Sequence, residues 1–179
     1  MEKLRDRLNS NKLDEKKSAT RKVLGAMTVG KDVSMLFPDI TKNLENRDME
    51  LKKLVYLYII NYAKKHPQKA VMVVNSFRKD ATNKDNPLLR ALAVRTMGCI
   101  KVAEINEYLC DPLLKACNDE DSYVRKTAAI CIAKLHNSSP ELLEQHGFLN
   151  KLNDLLKDGN AMVVANAIAA YVSISEQKG

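Results

Sequence analysis

The chain has 179 residues, enough for one ordinary domain or one segment of a longer array. Apolar residues at 45% and charged residues at 28% supply a core and exclude bulk disorder. The net charge of +7 is unevenly placed, because the first 69 residues hold 16 Lys/Arg against 9 Asp/Glu, while the remainder holds 13 of each. An acidic partner, such as an anionic membrane or nucleic acid, therefore suits the N-terminal part.

The N-terminus, MEKLRDR, is charged and carries no apolar segment of signal-peptide type. Residues 13–24 form a lysine-rich helical pattern. Lys12, Lys16, Lys17, Arg21 and Lys22 stand in i, i+4 and i+5 relationships, so several share one helix face. Asp14 and Glu15 interrupt them and suit local pairing with Lys17 or Lys22. Both a solvated face and an anion-binding face fit this pattern. Residues 25–32, GAMTVGKD, nearly match the phosphate-binding loop GxxxxGK[ST]. Asp32 replaces the hydroxyl that would hold magnesium, and a helical pattern rather than a strand precedes the loop. A turn between helices is expected, with a nucleotide-hydrolysing domain as its rival.

Pro38 follows a helix stop at Leu36-Phe37. Beyond it, Leu51, Leu54, Val55, Tyr58 and Ile59 recur at the spacing of one buried helix face. The longest apolar run, 54–60, is seven residues, far short of the roughly 20 that span a bilayer. Tyr56, Tyr58 and Tyr62 follow core spacing rather than a stacking platform, and tryptophan is absent, so nucleic acid is not expected as a partner. Leu89, Leu92, Ala93, Thr96 and Met97 repeat the face, as do Val124, Thr127, Ala128, Cys131 and Ile132. Second helices are expected at 67–81, 104–116 and 141–157. Pro67 and Pro87 suit first-turn positions, and Pro112 and Pro140 lie near other helix starts.

These helices align as an internal repeat. Asp48, Asn86, Asp121 and Asn160 each suit a helix cap, and three of the four units carry a base four residues on, at Lys52, Arg90 and Arg125. Two helices in about 40 residues is the signature of HEAT-type repeats. The expected fold is all-α, a HEAT/armadillo-like helical-repeat solenoid, a right-handed superhelix of antiparallel helix pairs. Residues 1–179 are expected as a single segment with approximate repeats 1–47, 48–85, 86–120, 121–159 and an incomplete 160–179. The last repeat carries Met162, Val163, Ile168, Tyr171 and Val172 with no polar capping repeat behind it, so a longer array is expected.

No catalytic constellation emerges. Cys99, Cys110, Cys117 and Cys131 contain no CxxC pair and match no zinc spacing, so buried thiols in a reducing, cytosolic compartment are expected. His66, His136 and His146 are scattered, the last two in polar, loop-like contexts that suggest exposure. No serine sits in a GxSxG elbow. No catalytic residue, cofactor or metal is expected, and the chain reads as a non-enzyme.

Particular strings then become informative. MTVGKDVSMLFPD at 27–39, ELKKLVYLYIINYAK at 50–64 and NPLLRALAVRTMGCI at 86–100 resemble the N-terminal trunk of β-adaptins, the large β subunits of clathrin-associated adaptor complexes. VRKTAA at 124–129 and MVVANA at 162–167 continue the resemblance, which runs from about Lys3 to Glu176. It is closest to the β chains of the trans-Golgi/endosomal and plasma-membrane complexes. It implies a scaffold in vesicle-mediated transport, partnered by a second large chain, a medium chain and a small chain. It implies a cytoplasmic protein, peripheral on coated vesicles at those membranes. Contact with an activated Arf-family GTPase is implied on the helix at 67–78, through Val71 and Val74, three apart on one face. The same two valines also fit an ordinary repeat core. A phosphoinositide membrane is implied as partner of the basic face formed by Lys12, Lys16, Lys17, Arg21 and Lys22. The chain departs from the family by placing Leu13, Asp14 and Glu15 within its lysine-dense helix. The short N-terminal extension, the clathrin-binding hinge and the appendage have no counterpart here, so clathrin is implied only through regions outside this sequence. A HEAT-repeat transport receptor or assembly platform unrelated to membranes is the remaining rival.

Overall fold

A computed structural model describes residues 2–63, 65–100 and 102–176, and every regular element among them is helical. The chain divides into two compact units, Met1–Ser76 and Phe77–Gly179. The last three positions of the incomplete repeat 160–179 lie outside the described residues.

The first unit contains α1 (Glu2–Leu8), α2 (Leu13–Thr28), α3 (Phe37–Thr41), α4 (Met49–Ala63) and α5 (Pro67–Val71), and the boundary falls inside α6 (Val74–Ala81). Short 3-10 turns at Ser34–Leu36 and Lys42–Glu45 flank α3. α2 ends where Gly30 adopts φ +80°, a left-handed conformation that suits glycine. α4 is the central helix of this unit. Leu51, Val55, Tyr58, Ile59 and Tyr62 are buried on one side, and Lys52 and Tyr56 on another. Each such large apolar side chain contributes about 1.5–3 kcal/mol on burial. Leu54, expected on the core face, is only half-buried.

Tyr62 stacks on Phe37 (centroids 4.8 Å apart) and on Tyr58 (5.4 Å), which fixes α3 against α4. Tyr58 donates its hydroxyl to the Val33 carbonyl at 3.1 Å, so its burial leaves no polar atom unpaired. Burial raises the Tyr58 phenol well above its ordinary range.

The second unit contains α7 (Pro87–Met97), α8 (Ala103–Cys117), α9 (Ser122–Ser138), α10 (Pro140–Gln145), α11 (Phe148–Leu155) and α12 (Ala161–Glu176). Within it, α9 packs between α7 and α12 in one layer, while α8, α10 and α11 lie behind. Val124, Thr127, Ala128, Cys131 and Ile132 form the buried side of α9; on α7, Leu92 is half-buried while Leu89, Ala93, Thr96 and Met97 are buried.

Four equivalent side chains start the first helix of each pair. The Asp48, Asn86, Asp121 and Asn160 side-chain oxygens accept backbone N–H groups of Leu51, Leu89, Tyr123 and Met162 at 2.8, 3.1, 2.8 and 2.9 Å. Each supplies a partner to an otherwise orphaned helix donor. The base four residues after the cap performs a second repeated task. Arg90 holds Asp119 in a two-pronged pair and donates to the Asn83 carbonyl; Arg125 holds Asp158 the same way and donates to the Asp119 and Glu120 carbonyls. Lys52 donates to the Leu44 carbonyl at 2.7 Å. In the last unit Val164 stands at this place.

The second helices depart from expectation in two of three cases. The helix expected over 67–81 is interrupted at Met72-Val73, where no glycine or proline marks a break. The one expected over 141–157 is interrupted at Gly147, whose φ of +66° ends α10 and opens α11. Pro112, expected near a helix start, lies inside α8, buried. The N–H that proline lacks would have pointed to the carbonyl of Tyr108, a residue 45% exposed.

Candidate functional site

The basic residues of α2 do not form one open face. Lys17 reaches Glu50 at 2.8 Å and Asp48 at 3.1 Å, with its side chain only 14% exposed. The hydrogen bond that Lys17 donates to Glu50, then the one it donates to Asp48, raises its ammonium above its ordinary value. Arg21 also pairs with Glu50. Lys16 donates to the Asn43 side chain at 2.9 Å, and Asn43 in turn donates to the Leu8 and Asp39 carbonyls. These three bases therefore tie α2 to the start of α4 and the segment before it. Lys12 pairs with Glu15 at 3.5 Å, and its side chain is 80% exposed. Lys22 is exposed. The local pairing expected of Asp14 or Glu15 with Lys17 or Lys22 is replaced by these contacts, because Lys17 faces the start of α4. Lys12 and Lys22 are the members of the set left most open to a ligand.

Asp39 shows the same stapling. Arg5 donates to it at 3.0 Å and Asn9 at 2.9 Å, joining α1 to α3. Burial alone would raise this carboxyl, but the Asn9 and Arg5 hydrogen bonds outweigh it and hold it below its ordinary value.

Val71 and Val74 do not share one helix. The turn at Met72-Val73 separates them, leaving Val71 half-buried at the end of α5 and Val74 at 3% exposure in the core. Between them, Met72 is 76% exposed. Of these residues, Met72 and in part Val71 are accessible at the surface, and Val74 is not.

The near-miss loop lines a cleft of about 290 Å³ with Asn61, Tyr62, Lys65 and His66. Its backbone is already committed. Gly30 and Lys31 donate their N–H groups to the Met27 and Ala26 carbonyls at 3.0 Å each, and Ser34 donates its N–H to Asp32. Gly25 lies within α2, so helix rather than strand leads into the loop. The donors that would cradle phosphate close the end of α2 instead.

His66 stacks on Tyr62 at 4.5 Å, and His146 is exposed in the turn between α10 and α11. His136, expected in a loop, lies in the last turn of α9 and is half-buried. Three cysteines are buried, and desolvation pushes Cys110 up to about 11 and Cys117 and Cys131 to about 12. Cys99 differs from the expected burial: it is half-exposed, with the Lys134 ammonium 3.0 Å from its sulfur. Among the described residues no group of three or more His, Cys, Asp or Glu could hold a metal ion. No helix among them is long and apolar enough to cross a membrane.

Charge by layer was missed in the sequence. α7, α9 and α12 contain between them a single acid, Glu176, whereas α8, α10 and α11 contain six acids and two bases. The balanced total for residues after Lys69 concealed this division; counting charge helix by helix exposes it.

Capped helix pairs joined by repeated Arg–Asp contacts define a helical-repeat protein that acts through its surfaces. The fold agrees with designed armadillo repeat protein YIII(Dq)4CqI, at TM-score 0.67 and 24% identity over 97% of this chain and 82% of that one. The chain belongs to the adaptin N-terminal region family, which matches residues 1–178. It is 59% identical over 173 residues to AP-1 complex subunit beta of Dictyostelium discoideum and 58% identical to AP-1 complex subunit beta-1 of Homo sapiens. Each match covers 97% of this chain and 18% of the relative, so the chain spans about a fifth of their length. A homology model of the full-length AP-3 complex in an intermediate open conformation matches at TM-score 0.70 and 26% identity, over 94% of this chain and 27% of that one.

Proposed function

We propose that the chain is the opening scaffold segment of the β subunit of a clathrin adaptor complex, serving vesicle-mediated protein transport without catalysis. The observation that carries this reading is the 58–59% identity to AP-1 β subunits over 97% of the chain. Partners are a second large chain, a medium chain and a small chain, engaged by exposed edges of the helix pairs. The protein is cytoplasmic and peripheral on Golgi, endosomal or plasma-membrane vesicles, and reaches clathrin through regions outside this sequence.

Two finer contacts belong to this proposal. An activated Arf-family GTPase docks on Val71 and Met72; the exposure of Met72 and the half-burial of Val71, beside the buried Val74, support this placement. A phosphoinositide membrane meets the open bases Lys12 and Lys22, with Lys16, Lys17 and Arg21 contributing field from paired positions. Charge of this kind raises encounter rate and salt sensitivity more than intrinsic affinity. Affinity capture through an epitope tag on the endogenous protein tests the proposal. Recovery of adaptor chains supports it; recovery of soluble transport cargo without them rejects it in favour of a transport receptor.

A further inference from the structure

The outward side of the α7–α9–α12 layer carries free bases, exposed apolar groups and amides, but no acid before Glu176. Arg90 and Arg125 are consumed by Asp119 and Asp158, which leaves Arg95, Lys126 and Lys134 facing out. Lys126 lies 4.6 Å over the Tyr123 ring, and Lys134 rests against the Cys99 sulfur, so both stand on soft, uncharged neighbours rather than on carboxylates. Leu88, Tyr123 and Met162 occupy the same place in three successive units and are 56%, 40% and 57% exposed. A groove of about 210 Å³ runs between α9 and α12, lined by Ile130, Ala169 and Ala170 together with Asn137 and Asn166. Asn137 makes no side-chain hydrogen bond to the described residues and is exposed, so its amide can both donate and accept. The reverse layer has the opposite sign, with all six of its acids exposed.

We infer that the outward face of α7, α9 and α12 is a docking surface for an extended acidic peptide bearing aliphatic side chains. Carboxylates of such a segment meet Arg95, Lys126 and Lys134, and its aliphatic groups enter the groove over Ile130. The Asn137 amide takes a peptide N–H and C=O, the groups that an extended backbone leaves free. A lipid surface fits this face less well. Polybasic membrane sites use clusters of about 4–8 bases, each contributing on the order of 1 kcal/mol, and this face offers three. The inference is independent of the proposed adaptor role, since it rests on a different layer of charge.

The test uses the full chain and fluorescence anisotropy of a labelled peptide of alternating glutamate and leucine. Saturable binding that weakens with added salt is expected, with no binding of the matching lysine–leucine peptide. Arg95→Glu combined with Lys134→Glu should weaken the acidic peptide by about tenfold or more, a difference of about 1.4 kcal/mol. Arg95→Gln with Lys134→Gln should fall between the two, and circular dichroism checks that each variant keeps its helicity. Three results overturn the inference: no saturable binding by the unaltered chain, equal affinity in charge-reversed and unaltered chains, or binding to phosphatidylserine vesicles without binding to the peptide.

Discussion

Arg90 and Asp119 face each other across 29 residues in a two-pronged pair, with Nε–Oδ2 at 2.8 Å and Nη2–Oδ1 at 2.7 Å. Their side chains are 9% and 11% exposed, so this is a nearly dry contact that locks α7 to the connection between α8 and α9. Removing one partner leaves the other charge stranded, which costs about 3 kcal/mol. Arg90→Ala should therefore lower the thermal midpoint by roughly 10 °C for a chain of this size. A double-mutant cycle with Asp119→Ala, read by denaturant unfolding, should show favourable coupling between the two sites; additive losses would contradict the pairing.

The same ladder sets an acid limit. At Asp119, burial would raise the carboxyl, but the Arg90 and backbone Asp121 hydrogen bonds outweigh it; at Asp158 the Arg125 hydrogen bond leads, and both carboxyls sit below their ordinary value. A carboxylate depressed on folding contributes stability in full above its unfolded pKa of about 3.9 and loses it as pH falls through the lower folded value. Stability followed by urea unfolding should be flat near neutrality and decline below about pH 4. Asp158→Asn should be less stable at neutrality and should lose less on acidification than the unaltered chain.

Val71 and Val74 should separate in mutagenesis. Val74→Asp places a charge in the core and should cost about 3 kcal/mol or more, with visible loss of helicity. Val71→Asp and Met72→Asp, at accessible positions, should each cost under about 1 kcal/mol. On the proposed docking of the GTPase, these two variants should lose GTP-dependent recruitment to Arf-bearing liposomes while keeping their circular dichroism spectra.

The basic face should divide in the same way. Lys12→Ala with Lys22→Ala should weaken co-sedimentation with phosphoinositide vesicles by about thirtyfold, at about 1 kcal/mol per base. Lys17→Ala should instead lower the unfolding midpoint, since Lys17 is held by Asp48 and Glu50. Its effect on vesicle binding should be the smaller one.

Thiol chemistry supplies a local check on burial. Cys99 should react first with a disulfide reagent at pH 8, and Cys99→Ser should abolish that fast phase. Cys110, Cys117 and Cys131, buried and held at about 11 to 12, should react only as the chain unfolds.

Much of the fold was legible because two strong signals coincide. The 3.6-residue apolar period located α4, α7 and α9, and an Asp or Asn before each supplied its cap. Gly147 signals a break, but its left-handed conformation depends on how α10 and α11 pack, and the break at Met72-Val73 has no local signal. The site was less legible because pairing across distance decides which charges are available. Lys17 and Arg21 share a helix face with Lys22 in sequence, yet carboxylates from the start of α4 claim only the first two. Likewise, spacing placed Val71 and Val74 together, and the turn between them separates a surface residue from a core one.

Assembly into an adaptor complex is measured most directly by the native mass and subunit ratio of the complex purified through this protein. Light scattering with quantitative mass spectrometry should give one copy each of this β chain, a second large chain, a medium chain and a small chain. Elution of the protein alone, or with soluble cargo and no adaptor chain, would contradict the account.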